Sequence, residues 1–291
     1  MLIPARAPRL VAFDLDDTLA PSKSPVPEEM TVRLRRLLAV VPVAIISGGR
    51  FAQFRQQVIE RLGTVPAADL AGLHLLPACG TQYYRWAPDA EGSELVPDGP
   101  AGGSWRREYS EDLNDEEKDG AIRVLEEEAR RLGLWEEHPW GPIVEDRESQ
   151  ITFSALGQSA PVDAKAAWDP DGAKRRVLRA AVAARLPGLE VRAGGSTSVD
   201  ITRPGIDKAY GMRKLAGLTG LALTDMLFVG DRLEPDGNDY PVKALGVPCV
   251  AVGGHRETPA VVDRILERLR DREAAATVAT AASPATGRSL G

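Results

Sequence analysis

Cysteine is nearly absent from this 291-residue chain. Cys79 and Cys249 are the only two, too few to brace a chain of this length with a disulfide framework. Histidine is almost as scarce: His74, His138 and His255 lie far apart, without the close spacing of a zinc site. Aromatic residues make up 5%, and Trp105, Trp135 and Trp140 are scattered in a way that suits packing better than stacking on a ligand. No stretch reaches 18 uninterrupted apolar residues, which argues against a membrane-spanning helix. The opening MLIPARAPRL lacks an apolar signal core, so the expected location is the cytoplasm. A positive excess is missing too. The 36 Lys and Arg face 42 Asp and Glu, a net charge of −6, whereas a general nucleic-acid binder needs a basic face. That balance does not exclude a small basic pocket for a phosphorylated metabolite.

What is present is enough apolar residue for a real core, 43% of the chain, and enough length for two domains. LVAFD and VPVAIISGG read as buried strands, each followed by a helical pattern. Strand, helix, strand, helix with continuous apolar strands means a parallel sheet. Near residue 85 the style changes to a loop rich in Gly, Pro and acid. A long helix capped at Asn114, an alternating strand in VEDRESQITFSAL, a second helix and a strand-like LEVRAGGSTSVDIT follow. From about 209 the first style returns. The expected fold is α/β: a Rossmann-like parallel-sheet core, residues 1–85 and 193–272, split by an α+β cap at 86–192. Hinges are expected near 85 and 193. The tail 273–291, small, polar and of low complexity, is expected to be disordered.

Two acidic clusters follow buried strands: Asp14, Asp16 and Asp17 in LVAFDLDDTLA, and Asp231, Glu234, Asp236 and Asp239 in FVGDRLEPDGNDY. Ligands of open parallel sheets bind beyond the carboxyl ends of the strands. Two acidic clusters side by side there repel unless a cation joins them, and oxygen ligands without His or Cys favour Mg²⁺ over zinc. A carboxylate with Mg²⁺ suits phosphoryl transfer. The phosphoryl oxygens then need holders, and Ser47, the Gly48 and Gly49 amides and Lys208 are candidates.

DLDDT, ISGG, a lone lysine and GDRLEPDGND, in this order, resemble the four motifs of haloacid dehalogenase-type phosphotransferases over roughly residues 9–255. The resemblance implies Asp14 as nucleophile, Asp16 as general acid and base, and Ser47 and Lys208 as phosphoryl holders. It implies Mg²⁺ held by Asp14, the Asp16 carbonyl and Asp231, supported by Asn238 or Asp239. SGGRFAQFRQQVIERLG, GPIVEDRESQITFSALGQ and GGSTSVDITRPGIDKAYG are similar to segments of the phosphomannomutase branch and its sugar-phosphatase relatives. By position Arg147 matches a cap arginine of that branch, and Ser198 and Asp200 match its Ser-x-Asp pair. Lys23, Gln158 and Lys165 stand where arginines are expected, and Cys79 where relatives usually carry Asn. Arginine grips phosphate bidentately and lysine does not, so the cap is thinner in guanidinium than a mutase's.

The resemblance thus implies a Mg²⁺-dependent phosphohydrolase of a hexose phosphate or related sugar phosphate. A phosphomannomutase using the same aspartyl phosphate, or an idle binding protein on this fold, stay open. The expected partner is a small phosphorylated sugar, not nucleic acid or membrane, with a homodimer through the cap left open.

Overall fold

The computed structural model describes residues 6–63, 65–88, 95–96 and 104–281. β1 (Leu10–Phe13) and β2 (Val43–Ile46) are buried over their whole length, as uninterrupted apolar runs require. Between them, α1 (Glu28–Leu38) opens on Glu28 and Glu29 and closes on Arg35 and Arg36, each sign complementing the helix dipole. The helix expected after β2 is irregular: α2 (Phe51–Phe54), a π-helical turn (Arg55–Ile59) and α3 (Glu60–Leu62) run in succession. α4 (Ala67–Leu70), β3 (Leu73–Leu76), β4 (Gln82–Ala87), β5 (Leu95–Val96) and β6 (Ser104–Ser110) complete the first part.

α5 (Asp115–Arg131) begins at Asn114. The Asn114 side chain accepts from the Glu117 N–H while the Glu117 carboxylate accepts from the Asn114 N–H, a reciprocal capping box. The alternating stretch read as one strand is a hairpin, β7 (Val144–Asp146) and β8 (Gln150–Ser154), turning at Glu148 with φ 67. α6 (Val162–Trp168), not foreseen, precedes α7 (Ala173–Arg185). A second hairpin joins β9 (Glu190–Ala193) to β10 (Ser198–Thr202). Then come α8 (Lys208–Thr219), β11 (Met226–Gly230), α9 (Tyr240–Ala244), β12 (Cys249–Ala251) and α10 (Thr258–Ala281).

The strands form two sheets, ordered β12-β11-β1-β2-β3-β4-β6-β5 and β7-β8-β10-β9. In the large sheet β12 to β3 run parallel and β4, β6 and β5 are antiparallel additions. One apolar layer packs β1 and β2 against α1, the Phe51–Leu62 helical run and α10; the other packs the opposite face against Met212 and Leu215 of α8 and Val242 of α9. In the small sheet, Ile151, Phe153, Val199 and Ile201 face α5 and α7 and form a separate core. Phe153 is fully buried there, and its truncation to Ala would cost about 3–5 kcal/mol.

These sheets correct three expectations. Strands β4, β5 and β6 belong to the large sheet, so the cap does not begin at residue 86; Trp105 packs edge-on against Trp86 at 5.7 Å in the core, not under cap helices. β9 and β10 pair with the cap's β8, so the cap does not end at 192. The chain crosses between the sheets at 111–114 and 203–207 rather than near 85 and 193. Residues 273–281 extend α10 instead of fraying, because Ala274, Ala275 and Ala276 are the strongest helix formers. Residues 282–291 of the expected tail lie outside the described residues. No helix among the described residues is long and apolar enough to cross a membrane.

Candidate active site

β1 is flanked by β2 on one side and β11 on the other, so the chain's direction across the sheet reverses at β1. A crevice opens at such a switch point, beyond the carboxyl ends of the strands. Asp14 is the residue after β1, its N–H donating to the Val229 carbonyl at 3.0 Å. Asp231 follows β11 directly. Asp239 folds back from the loop before α9, its Oδ2 accepting the Arg232 N–H at 3.0 Å. Gly230 makes that approach feasible: a Cβ there would fall 2.3 Å from Asp239 Oδ2. One oxygen from each of Asp14, Asp231 and Asp239 lies within 4.8 Å of the others. Asn238, the alternative to Asp239, is exposed.

Lys208, the first residue of α8, reaches into this group. Its Nζ lies 2.6 Å from Asp14 Oδ1 and 2.5 Å from Asp239 Oδ1. Lys208 is 2% exposed, Asp14 4% and Asp239 0%. Burial raises the Asp14 carboxyl well above the ordinary carboxylate range; Lys208 opposes the rise and Asp239 adds to it. Asp231, which accepts from Thr18 Oγ1 at 3.1 Å, is raised first by burial and next by Asp239. Lys208 is held above its usual range because Asp14 and Asp239 outweigh its own desolvation. Three carboxylates against one ammonium leave an excess of negative charge in a dry place. An all-oxygen donor set with that excess fits a hard divalent cation.

Ser47 follows β2 and is buried; its Oγ accepts the Gly49 N–H at 3.2 Å. The Gly48 carbonyl accepts from Arg147 of the cap at 2.8 Å. The turn after Pro77 presses on α8: Ala78 and Cys79 take left-handed backbone, φ 45 and 58, and a Cβ on Gly80 would fall 2.5 Å from the Gly211 Cα. Cys79 is half-buried near Lys208 and Asp200, and desolvation pushes its thiol up to about 12.

Asp16 is half-buried and stands outside the carboxylate trio. Its side chain accepts from the Lys23 N–H at 2.7 Å, from Gln53 Nε2 at 3.0 Å and from Gln57 Nε2 at 3.3 Å.

The cap sheet turns its polar face to this crevice. By strand alternation Gln150, Thr152, Ser154, Ser198 and Asp200 share the face opposite the cap core. Thr152 donates to Asp200 Oδ1 at 2.8 Å, Gln150 to Thr152 at 2.8 Å, and Gln158 to Ser154 Oγ at 3.0 Å. Burial raises Asp200, with Arg147 the main opposing charge. Arg147 also pairs with Glu145 at 2.8 Å, and Arg50 of the core meets Glu145 at 3.1 Å. Gln158 gathers two lysines. Its Oε1 accepts from Lys23 Nζ at 2.5 Å and its carbonyl from Lys165 Nζ at 3.0 Å. Much of Lys23 is open to solvent, but its ammonium sits in the crevice. Desolvation there, then the like charges of Lys165 and Arg147, lower it from 10.5 to about 8.

The structure thus gathers Asp14, Asp231, Asp239 and Lys208 in one group, buried but for the half-buried Asp231. Asp16, Lys23, Arg147, Lys165 and Asp200 stand around the crevice, and Ser198 shares the face of Asp200. The sequence reading missed Gln53, Gln57, Glu145 and Thr152 and gave Gln158 no role. Only Thr152, two residues from the buried positions Gln150 and Ser154, carried a signal: its place in the strand alternation.

A cap inserted between β6 and β11, with acids at the ends of β1 and β11, gives a fold similar to that of solved haloacid dehalogenase-like proteins. A haloacid dehalogenase-like hydrolase from Bacteroides thetaiotaomicron superposes with a TM-score of 0.54 at 15% identity, covering 88% of this chain and 99% of its own. An IMP-bound IMP-nucleotidase of Plasmodium falciparum superposes at 0.62 with 14% identity, covering 90% of this chain and 67% of its own. Among proteins compared by sequence, the phosphomannomutase of Encephalitozoon cuniculi is 24% identical over 263 residues, 88% of this chain and 93% of the relative. No family model matches the chain.

Proposed function

We propose that the chain is a Mg²⁺-dependent phosphohydrolase of sugar phosphates, of the hexose phosphate class, acting through an aspartyl phosphate on Asp14. The observation that carries this reading is the group of Asp14, Asp231, Asp239 and Lys208 at the switch point, facing a cap sheet of hydroxyl, amide and carboxylate groups. Asp14, Asp231 and Asp239 would hold the cation, which supplies charge neutralisation between a carboxylate and a phosphate dianion.

In the first half-reaction an Asp14 oxygen attacks phosphorus and the bond from phosphorus to the sugar oxygen breaks. The departing oxygen takes the proton of the Asp16 carboxyl group. Lys208 and Ser47 hold phosphoryl oxygens while charge shifts among them. In the second half-reaction water attacks phosphorus and gives a proton to Asp16. Inorganic phosphate leaves and the Asp14 carboxylate returns. Thr152, Ser198 and Asp200 supply partners for sugar hydroxyls, and Lys23, Arg147 and Lys165 attract the substrate's anionic part.

A phosphomannomutase is the second reading, favoured by similarity to such a protein over nearly its whole length. The cap argues for the hydrolase. Of the three cations around the crevice, Lys165 of the cap and Lys23 of the core are tied to one glutamine, and Arg147 is engaged with Glu145 and Gly48, a loose grip for a bisphosphate that must turn over without escaping. The test is free phosphate and mannose 6-phosphate measured together from mannose 1-phosphate, with Mg²⁺ and a hexose bisphosphate activator. Phosphate release from a panel of hexose phosphates is expected. Clean isomerisation without phosphate release would make the mutase the right reading.

A further inference from the structure

Two glutamines that belong to none of the recognised motifs converge on one carboxylate. Gln53 ends its reach at Asp16 Oδ2 and Gln57 at Asp16 Oδ1, and the Lys23 N–H completes the set on Oδ1. Each Asp16 oxygen therefore has a side-chain amide donor. The backbone is shaped for this. The π-helical turn opens at Arg55, between the two glutamines, and such turns gather at functional sites. Gly49 clears the path: a Cβ there would fall 2.2 Å from Gln53 Oε1. Gln57 is 2% exposed, and its Oε1 is buried without a hydrogen-bond partner. An unpartnered buried carbonyl is destabilising, a cost a fold retains where the other end of the amide is needed.

We infer that Gln53 and Gln57 are positioning residues for proton transfer, a cradle that aims the Asp16 carboxyl group away from the carboxylate trio and toward the leaving-group side of the crevice. Asp16 there stands within electrostatic range of Lys23 and Lys165, the cations that meet the sugar's side of the substrate. The third donor links the cradle to the cap, because the same Lys23 whose N–H holds Asp16 has its ammonium on Gln158. The rival role for Gln57 is a staple, since its Nε2 also donates to the Ser24 carbonyl at 2.7 Å. The inference rests on the phosphohydrolase reading and adds residues to it.

The test compares leaving groups. A hexose phosphate departs as an alkoxide and needs a proton; 4-nitrophenyl phosphate departs as a stable phenolate and does not. Gln53→Met, Gln57→Met and the double variant keep side-chain bulk and remove the amide. The ratio of kcat on the hexose phosphate to kcat on the aryl ester should fall about tenfold for each single variant, the worth of one hydrogen bond, with KM for the hexose phosphate moving less than about twofold. Thermal unfolding is followed in parallel. If Gln57→Met fails to fold, Gln53→Met decides, because its amide is hydrogen-bonded only to Asp16 among the described residues. Equal losses on both esters, or no loss on either, with the unsubstituted chain fully active, would overturn the inference alone. No phosphate release by the unsubstituted chain from any ester would overturn the phosphohydrolase reading, and this with it.

Discussion

The two sheets each present polar groups to the same crevice, in opposite ways. The core presents them at strand ends: Asp14, Asp239 and Lys208 are almost wholly buried and locked by contacts of 2.5–2.6 Å. The cap presents them on a face, with long flexible side chains that share partners: Lys165 and, reaching across from the core, Lys23 on Gln158, and Arg147 on Glu145. The core's group does not tolerate loss of its one ammonium, because the buried carboxylates then lose their compensation. A half-open cationic rim tolerates exchange, since solvent screens what a lost contact exposes. The buried group at the strand ends is therefore rigid and the polar face opposite it adjustable.

Four substitutions and a pH comparison probe that contrast. Asp14→Asn is expected to lower phosphate release by at least about 10³-fold, as loss of a nucleophile does, with the fold intact because one excess negative charge is removed. Turnover near the unsubstituted rate would end the nucleophile assignment. Asp16→Asn should cost about 10²–10⁴-fold on hexose phosphates and much less on an aryl phosphate; equal losses would count against the acid role. Lys208→Met should destabilise the chain by about 3–5 kcal/mol, as breaking a buried ion pair does, read from urea unfolding. A smaller loss would mean that the core group is less locked than its geometry indicates.

The fourth test is pH. His74 on β3 is buried against Tyr83, its Nδ1 2.7 Å from the Tyr83 hydroxyl. Burial, and then Arg85, lower it from 6.5 to about 4. The unfolded chain takes up the proton first, so stability present above pH 6.5 falls as pH drops toward 4. The loss from this group reaches about 3 kcal/mol. Unfolding of the parent and of His74→Gln at pH 7 and pH 4.5 should show the variant losing less; identical losses would refute the assignment. The smallest effect is expected at the rim. Gln158→Arg should tighten a hexose bisphosphate by about 1.5–3 kcal/mol, measured by calorimetry, and unchanged affinity would place the second anion elsewhere.

How far the sequence could be read follows the same division. Uninterrupted apolar runs ending in Asp14 and Ser47 specify buried parallel strands and what lies at their ends, and Asp231 repeats the pattern. β5, β6 and the last two residues of β4 fall inside the expected cap because the Gly- and Pro-rich stretch from Ala87 reads as a loop or hairpin. The pairing of Trp86 with Trp105 that contradicts this is a long-range contact with no local sign. Gln53 and Gln57, four residues apart, look like a solvated helix face. Only the π turn and the space above Gly49 turn them inward. Gln158 was set aside for lacking charge, yet its oxygens gather the charges.

The central strand has a consequence for how the chain comes to be made. β1 sits in the middle of the large sheet, paired with β2 nearby in sequence and with β11 through Leu10 and Met226. During synthesis β1 must wait, one edge unpaired, until the cap and the chain as far as β11 have emerged. Contacts of such long sequence separation slow folding, and an unpaired apolar edge invites association with other chains. The cap, whose hairpins and helices are local, can form its own core meanwhile. A ribosome stalled before Met226 would thus carry a formed cap beside a half-built, acid-tipped sheet, with Lys208 made and Asp231 and Asp239 still to come.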